Sequence, residues 1–126
     1  MIDHLDLAVR DLACSRAFYL EVLAPLGYAP QLEIDRADGR HGTGFGPPGR
    51  PQFFIGGGTP PVGRLHFAFL APSRAAVHAF HTAALRAGAE DRGAPALRQH
   101  YTPTWYAAYV SDPDGHTIEA VCHAAD

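Results

Sequence analysis

Three side chains in this sequence, His4, His66 and Glu119, belong to the types that bind divalent metal ions in proteins. Glu119 stands between Ile118 and Ala120 in an apolar stretch, and an unpaired carboxylate buried there would cost several kcal/mol. A metal cation would supply a partner. We therefore expect one divalent metal ion, and this donor set suits iron, manganese, zinc, nickel or cobalt without choosing among them.

Both histidines lie in segments whose patterns predict β-strands. In residues 2–9 and 64–71, large apolar side chains alternate with others, and His4 and His66 fall on the opposite face from the apolar ones. This pattern is typical of a half-buried strand, because successive side chains point to opposite sides of a sheet.

A helix is predicted after each of these strands. Asp11 and Ser73 offer side-chain oxygens that can cap a helix N-terminus, and apolar residues then recur at helical spacing. Gly27 and Gly88 end the two helical patterns. The order of strand, helix and glycine therefore occurs twice.

The two halves of the chain preserve one spacing, as an internal repeat should. Three pairs share it: His4 and His66, Phe18 and Phe80, Leu23 and Leu85. Near the ends of the halves, PPGRPQFF resembles PDGHTIEA, and this alignment sets Phe53 opposite Glu119. Equivalent positions thus hold metal-ligand types in three of four cases.

Further strands complete each half of the predicted fold. They are expected at residues 28–34, 52–55, 96–101, 105–111 and 116–123, with short strands joined by turns in the glycine- and proline-rich stretch between the first two. Each half is therefore predicted to be a βαβββ module, the first at about 1–57 and the second at about 64–126. The glycine-rich stretch 56–63 would link them. The fold class is α+β, and the whole chain, residues 1–126, forms one domain.

Composition and charge exclude several classes of protein. The 126 residues are 47% hydrophobic and 18% charged, as in folded globular chains. The net charge is −3 and the arginines are dispersed, so a nucleic-acid partner is not expected. An acidic N-terminus without a long apolar run predicts a cytoplasmic protein that does not enter membranes.

Three segments resemble the signatures of the vicinal-oxygen-chelate superfamily, which includes glyoxalase I, extradiol dioxygenases and bleomycin- or fosfomycin-resistance proteins. They are DHLDLAVRDLACSRAFY, RLHFAF and YVSDPDGHTIEAV. The resemblance implies that the modules form a curved mixed sheet around a central cavity. It also implies metal ligands on the first strand of each module and on the last strand, where this sequence has His4, His66 and Glu119.

The resemblance further implies a small substrate that chelates the metal through two adjacent oxygens. Phe53 stands where glyoxalase I-like relatives often carry a fourth ligand, which weakens that assignment. The spacing of His100 and Tyr109 before Glu119 resembles that of a catalytic histidine and tyrosine in extradiol dioxygenases. A lyase or isomerase step and a ring cleavage both remain open.

Two tyrosines compete for a place beside Glu119. Simple pairing across the DPDG turn would set Tyr106 rather than Tyr109 on the face of Glu119, and a bulge would reverse this choice. Phe53 and Tyr106 are accordingly expected to line the substrate pocket, while Tyr109 stays a catalytic candidate.

A non-catalytic binding protein of the bleomycin-resistance type is the alternative to an enzyme. Such a protein would hold a small aromatic or metal-chelating compound in the same cavity. The aromatic content favours it, and the complete set of three ligands argues against it. Family members of this size often form homodimers, some with sites completed between subunits, so a homodimer stays open.

Overall fold

The computed structural model describes residues 1–125. The first half contains β1 (Leu5–Val9), α1 (Leu12–Leu23), a short 3-10 helix (Ala24–Leu26), β2 (Ala29–Asp35), β3 (His41–Gly46) and β4 (Phe53–Gly57). The second half contains β5 (His66–Leu70), α2 (Arg74–Arg86), β6 (Asp91–Leu97), β7 (Tyr106–Ser111) and β8 (Thr117–Cys122). Neither α-helix within residues 1–125 combines the length and apolar character needed to cross a bilayer.

Each half folds into its own four-stranded mixed sheet. The strand orders are β1-β4-β3-β2 and β5-β8-β7-β6. The first strand of each half pairs in parallel with the last, and the other neighbours are antiparallel. The predicted α+β fold with two βαβββ modules and curved sheets is confirmed.

The helix boundaries follow the capping residues. The carboxylate of Asp11 accepts a hydrogen bond from the backbone of α1, and the hydroxyl of Ser73 does the same for α2. The first helix was predicted to continue to Leu26, but its last turn is the 3-10 helix, in which Pro25 lacks the N–H that an α-helix needs. Gly27 then adopts φ +87°.

A single core joins the two modules. Phe53 in β4 packs against Phe67 and Phe69 in β5, with ring centroids 5.5 and 5.1 Å apart, and against Tyr19 in α1 at 4.8 Å. Buried residues of both helices belong to the same cluster. The sheets therefore meet through the faces that carry the helices.

A buried polar contact also crosses between the modules. The hydroxyl of Tyr19 donates to Asp112 Oδ2 at 2.8 Å, and Asp112 Oδ1 accepts from the backbone N–H of His116 at 2.8 Å. His116 Nε2 lies 3.2 Å from the carbonyl oxygen of Pro61, in the stretch that links the modules. These hydrogen bonds thus connect helix α1, the turn between β7 and β8, and the stretch that links the modules.

Candidate functional site

Glu119 occupies the middle of β8 and is only 3% exposed. Its Oε1 lies 2.8 Å from His66 Nε2, and its Oε2 accepts a hydrogen bond of 3.0 Å from Trp105 Nε1. The parallel register explains the first contact: Ala68 stands opposite Glu119, so His66, two residues earlier in β5, shares the same face. The neighbouring Phe67 belongs to the core side of that strand.

Tyr109 lies directly opposite Glu119 in the pairing of β7 with β8. Its ring meets that of His66 edge-on at 5.6 Å, and the guanidinium of Arg98 lies 4.9 Å above its centroid. Burial raises the pKa of Tyr109, the charge of Glu119 raises it further, and Arg98 lowers it in part. The phenol therefore keeps its proton at neutral pH.

Tyr106 lies on the other face of β7. Its hydroxyl is 2.7 Å from His78 Nε2, and Arg74 lies 4.7 Å above its ring, both on α2. The simple turn pairing that favoured it beside Glu119 was wrong, because the turn pairs Ser111 rather than the preceding valine with Thr117. Contrary to expectation, Tyr106 does not line a pocket with Glu119.

The alignment of Phe53 with Glu119 was also wrong, by one residue. In β4 it is Phe54 that pairs with Asp6, as Glu119 pairs with Ala68 in the second module. The first module has one more residue between its turn glycine and this position. Phe53 consequently faces the core, and Phe54 is the counterpart of Glu119.

His4 stands just before β1 on the other sheet. Its ring meets Phe54 edge-on at 5.6 Å, and its Nδ1 lies 2.7 Å from Asp3 Oδ1. Within residues 1–125, no three His, Cys, Asp or Glu side chains are grouped closely enough to hold a metal ion. One chain thus brings together His66 and Glu119 but not His4, because the sheets pack through their helix-bearing faces.

A row of aromatic rings includes Trp105, whose indole contacts Glu119. The rings of His100 and Tyr101 are tilted by 40° with centroids 4.2 Å apart, those of Tyr101 and Trp105 are tilted by 40° at 4.9 Å, and Trp105 meets His123 edge-on at 4.8 Å. His100 is exposed and contacts Tyr101 rather than Glu119. The contact of Trp105 with Glu119 was not predicted from the sequence, because no sequence pattern determines how the loop before β7 packs against β8.

An apolar cavity of about 410 Å³ lies between the first sheet and β5. Its walls include His4, Phe45, Phe53, Phe67 and Phe69. Phe53 lines this cavity, and Glu119 does not.

The βαβββ modules agree with one family model. The model of the Glyoxalase/Bleomycin resistance protein/Dioxygenase superfamily matches residues 1–120. The chain belongs to this superfamily. Its members include glyoxalases and dioxygenases as well as non-catalytic proteins, and they commonly bind a divalent metal.

Solved structures of the superfamily share the fold. A glyoxalase/bleomycin resistance protein from Albidiferax ferrireducens is 28% identical, with a TM-score of 0.78 over 97% of this chain and 98% of that one. A glyoxylase/bleomycin resistance protein/dioxygenase domain from Frankia is 20% identical, with a TM-score of 0.72 over 98% of both chains. A putative glyoxalase from Bacillus halodurans is 23% identical, with a TM-score of 0.68 over 97% and 95%. Curated protein sequences give no significant match.

Proposed function

We propose that this chain is a divalent-metal-dependent enzyme acting on a small substrate that chelates the metal through two adjacent oxygens. His66 and Glu119 supply two ligands, and His4 of a second copy supplies the third. The observation that carries the proposal is the 2.8 Å separation between His66 Nε2 and the Oε1 of an almost fully buried carboxylate.

The chemistry of this donor pair fits a divalent cation. An imidazole nitrogen and a carboxylate oxygen that bind one ion at about 2.0–2.2 Å must be close neighbours, as these two atoms are. Within residues 1–125, the one ion-pair partner of Glu119 is His66, and no lysine or arginine pairs with it. A bound cation would offset the cost of burying this carboxylate.

A second copy can approach the pair on the His66 side. The His66 side chain is 29% exposed, whereas Glu119 is buried. β5 is an edge strand of its sheet, as β1 beside His4 is in the other. The His4 side chain is 56% exposed. Members of the superfamily often dimerise. In a symmetric dimer, each of the two sites would combine His4 of one chain with the His66–Glu119 pair of the other.

The residues around the pair support turnover. When bound, the metal supplies a Lewis acid that polarises the substrate oxygens. Tyr109, opposite Glu119, can donate a hydrogen bond from its hydroxyl to one of those oxygens. His100, at the exposed end of the aromatic row, is a candidate proton carrier. This arrangement is compatible with a lyase or isomerase step and with an extradiol-type ring cleavage.

Metal content tests the proposal directly. We expect the purified protein to retain a divalent ion, and His4→Ala, His66→Ala and Glu119→Gln each to lose it. His41→Ala is the matched control, because this exposed histidine contacts Asp35 away from the pair. Equal metal content and affinity in all five proteins would refute the proposal. Oxygen uptake with catechols under Fe(II) then separates ring cleavage from oxygen-independent isomerisation.

The aromatic cavity favours a second candidate, a non-catalytic binding protein. Its walls of Phe45, Phe53, Phe67 and Phe69 would suit a small aromatic compound. In that case His66→Ala and Glu119→Gln would leave the affinity for an aromatic ligand unchanged. Calorimetric titration of the wild type and both variants with that ligand distinguishes the two functions.

A further inference from the structure

Trp105 makes a directed contact to the carboxylate at the centre of the site. Its Nε1 lies 3.0 Å from Glu119 Oε2, and its ring packs between Tyr101 and His123. The backbone N–H of Arg98 donates to the carbonyl of Trp105 at 2.7 Å, which closes the loop at its base. The Trp105 indole is therefore restrained by the rings on its two sides and by the backbone hydrogen bond of its own residue.

The contact divides the two oxygens of Glu119 between two partners. An indole N–H can only donate, and its hydrogen bond to an ionised carboxylate is stronger than one between neutral groups. With Oε2 engaged by Trp105, rotation of the carboxylate is restricted and Oε1 is left facing His66 Nε2. The choice of oxygen is thus made by a residue outside the ligand set.

We propose that Trp105 is a positioning residue for Glu119, fixing Oε1 as the oxygen that binds the metal beside His66. This inference rests on the proposed function. Partners that orient a ligand in this way typically contribute about 10–100-fold to metal affinity. Trp105→Phe keeps an aromatic ring between Tyr101 and His123 and removes the N–H.

The contact itself can be tested without metal. The chain has one tryptophan, so a ¹⁵N-labelled sample gives a single indole N–H signal in NMR spectra. We expect Glu119→Gln to shift this signal and to speed its exchange with solvent, because the charged acceptor is lost. An indole signal that is indifferent to Glu119→Gln would overturn the proposal, whatever the behaviour of the Trp105 variant.

The consequence for binding is measured by titrating metal-free protein with Zn²⁺ in a calorimeter. Trp105→Phe is expected to raise the Kd by about 10–100-fold. The control Tyr106→Phe, which alters an aromatic residue on the opposite face, should leave it unchanged. Thermal melts of both variants verify that they are folded.

The possible failures are distinguishable. If the wild type and Trp105→Phe bind Zn²⁺ equally well, the positioning role is wrong while the proposed metal function stands. If the wild type binds no Zn²⁺ and Glu119→Gln changes nothing in that titration, the metal function is wrong and the positioning role falls with it.

Discussion

Phe53 and Phe54 are adjacent in β4 but have opposite environments. Phe53 is 5% exposed and packs against aromatic rings from both modules. Phe54 is half-buried beside His4 on the other face of the strand. Because side chains alternate along a strand, a shift of one residue exchanges these roles. The pair of residues therefore reports the register of β4.

Truncation of each phenylalanine tests this register. Phe53→Ala should lower the free energy of unfolding by about 3–5 kcal/mol, because it leaves a cavity in the shared core. Phe54→Ala should cost only about 1 kcal/mol, which is typical of point mutations in general, because this half-buried ring lies outside the core. Urea unfolding followed by circular dichroism gives both values. A larger loss for Phe54→Ala would show that the faces are reversed.

At the scale of elements, α1 is tied to the turn between β7 and β8 by Tyr19 and Asp112. Both side chains are buried, and Asp112 also accepts from two backbone N–H groups of its turn. Burial raises the pKa of Tyr19 well above its ordinary value, and the charge of Asp112 raises it further. The folded protein thus holds this phenol protonated where an unfolded chain would ionise it.

Tyr19→Phe removes the hydroxyl that Asp112 accepts from. At neutral pH the variant should lose about 1–3 kcal/mol, because a buried carboxylate is left with one donor fewer. Above about pH 10 an unfolded tyrosine ionises, while the raised pKa keeps Tyr19 neutral in the fold. Ionisation then favours the unfolded wild type, so stability from Tyr19 is lost as the pH rises.

The difference in the free energy of unfolding between the wild type and Tyr19→Phe should therefore decrease between about pH 9 and about pH 11. Urea unfolding at several pH values measures it. Tyr101→Phe, at an exposed position, is the control and should track the wild type at neutral pH. A gap that widens in alkali would contradict the raised pKa of Tyr19.

For the whole molecule, the packing of the modules decides where a complete site can form. His4 and His66 belong to separate sheets, and these sheets meet through their helix-bearing faces. The proposed metal site, which uses both histidines, would therefore be completed by a second chain. Such a site would have His4 from one copy and the His66–Glu119 pair from the other.

Purified heterodimers test this sharing of residues. A heterodimer of a His4→Ala chain and a Glu119→Gln chain should bind one metal ion, because one of its two sites keeps all three ligands. A heterodimer of wild type with the double variant should bind none, since each site then lacks one ligand. If each chain held its own site, the two results would be exchanged. Metal analysis of tagged, co-expressed pairs gives the answer.

Much of this architecture could be predicted from local patterns. The spacing of His4 and His66 revealed the repeat, and the caps at Asp11 and Ser73 gave the helix starts. Local patterns do not determine how far a turn shifts the pairing, so Phe53 and Tyr106 were placed on the wrong faces. They also carry no information on which faces of two similar modules pack together.

Phe54, which pairs with Asp6, affects the net charge of the proposed metal centre. With two neutral imidazoles and a single carboxylate, the proposed centre would keep one net positive charge once a divalent ion is bound. A second carboxylate in place of Phe54 would cancel that charge. The uncancelled charge favours compounds that bind as anions, such as an enolate or a singly ionised catechol, over neutral compounds of the same shape.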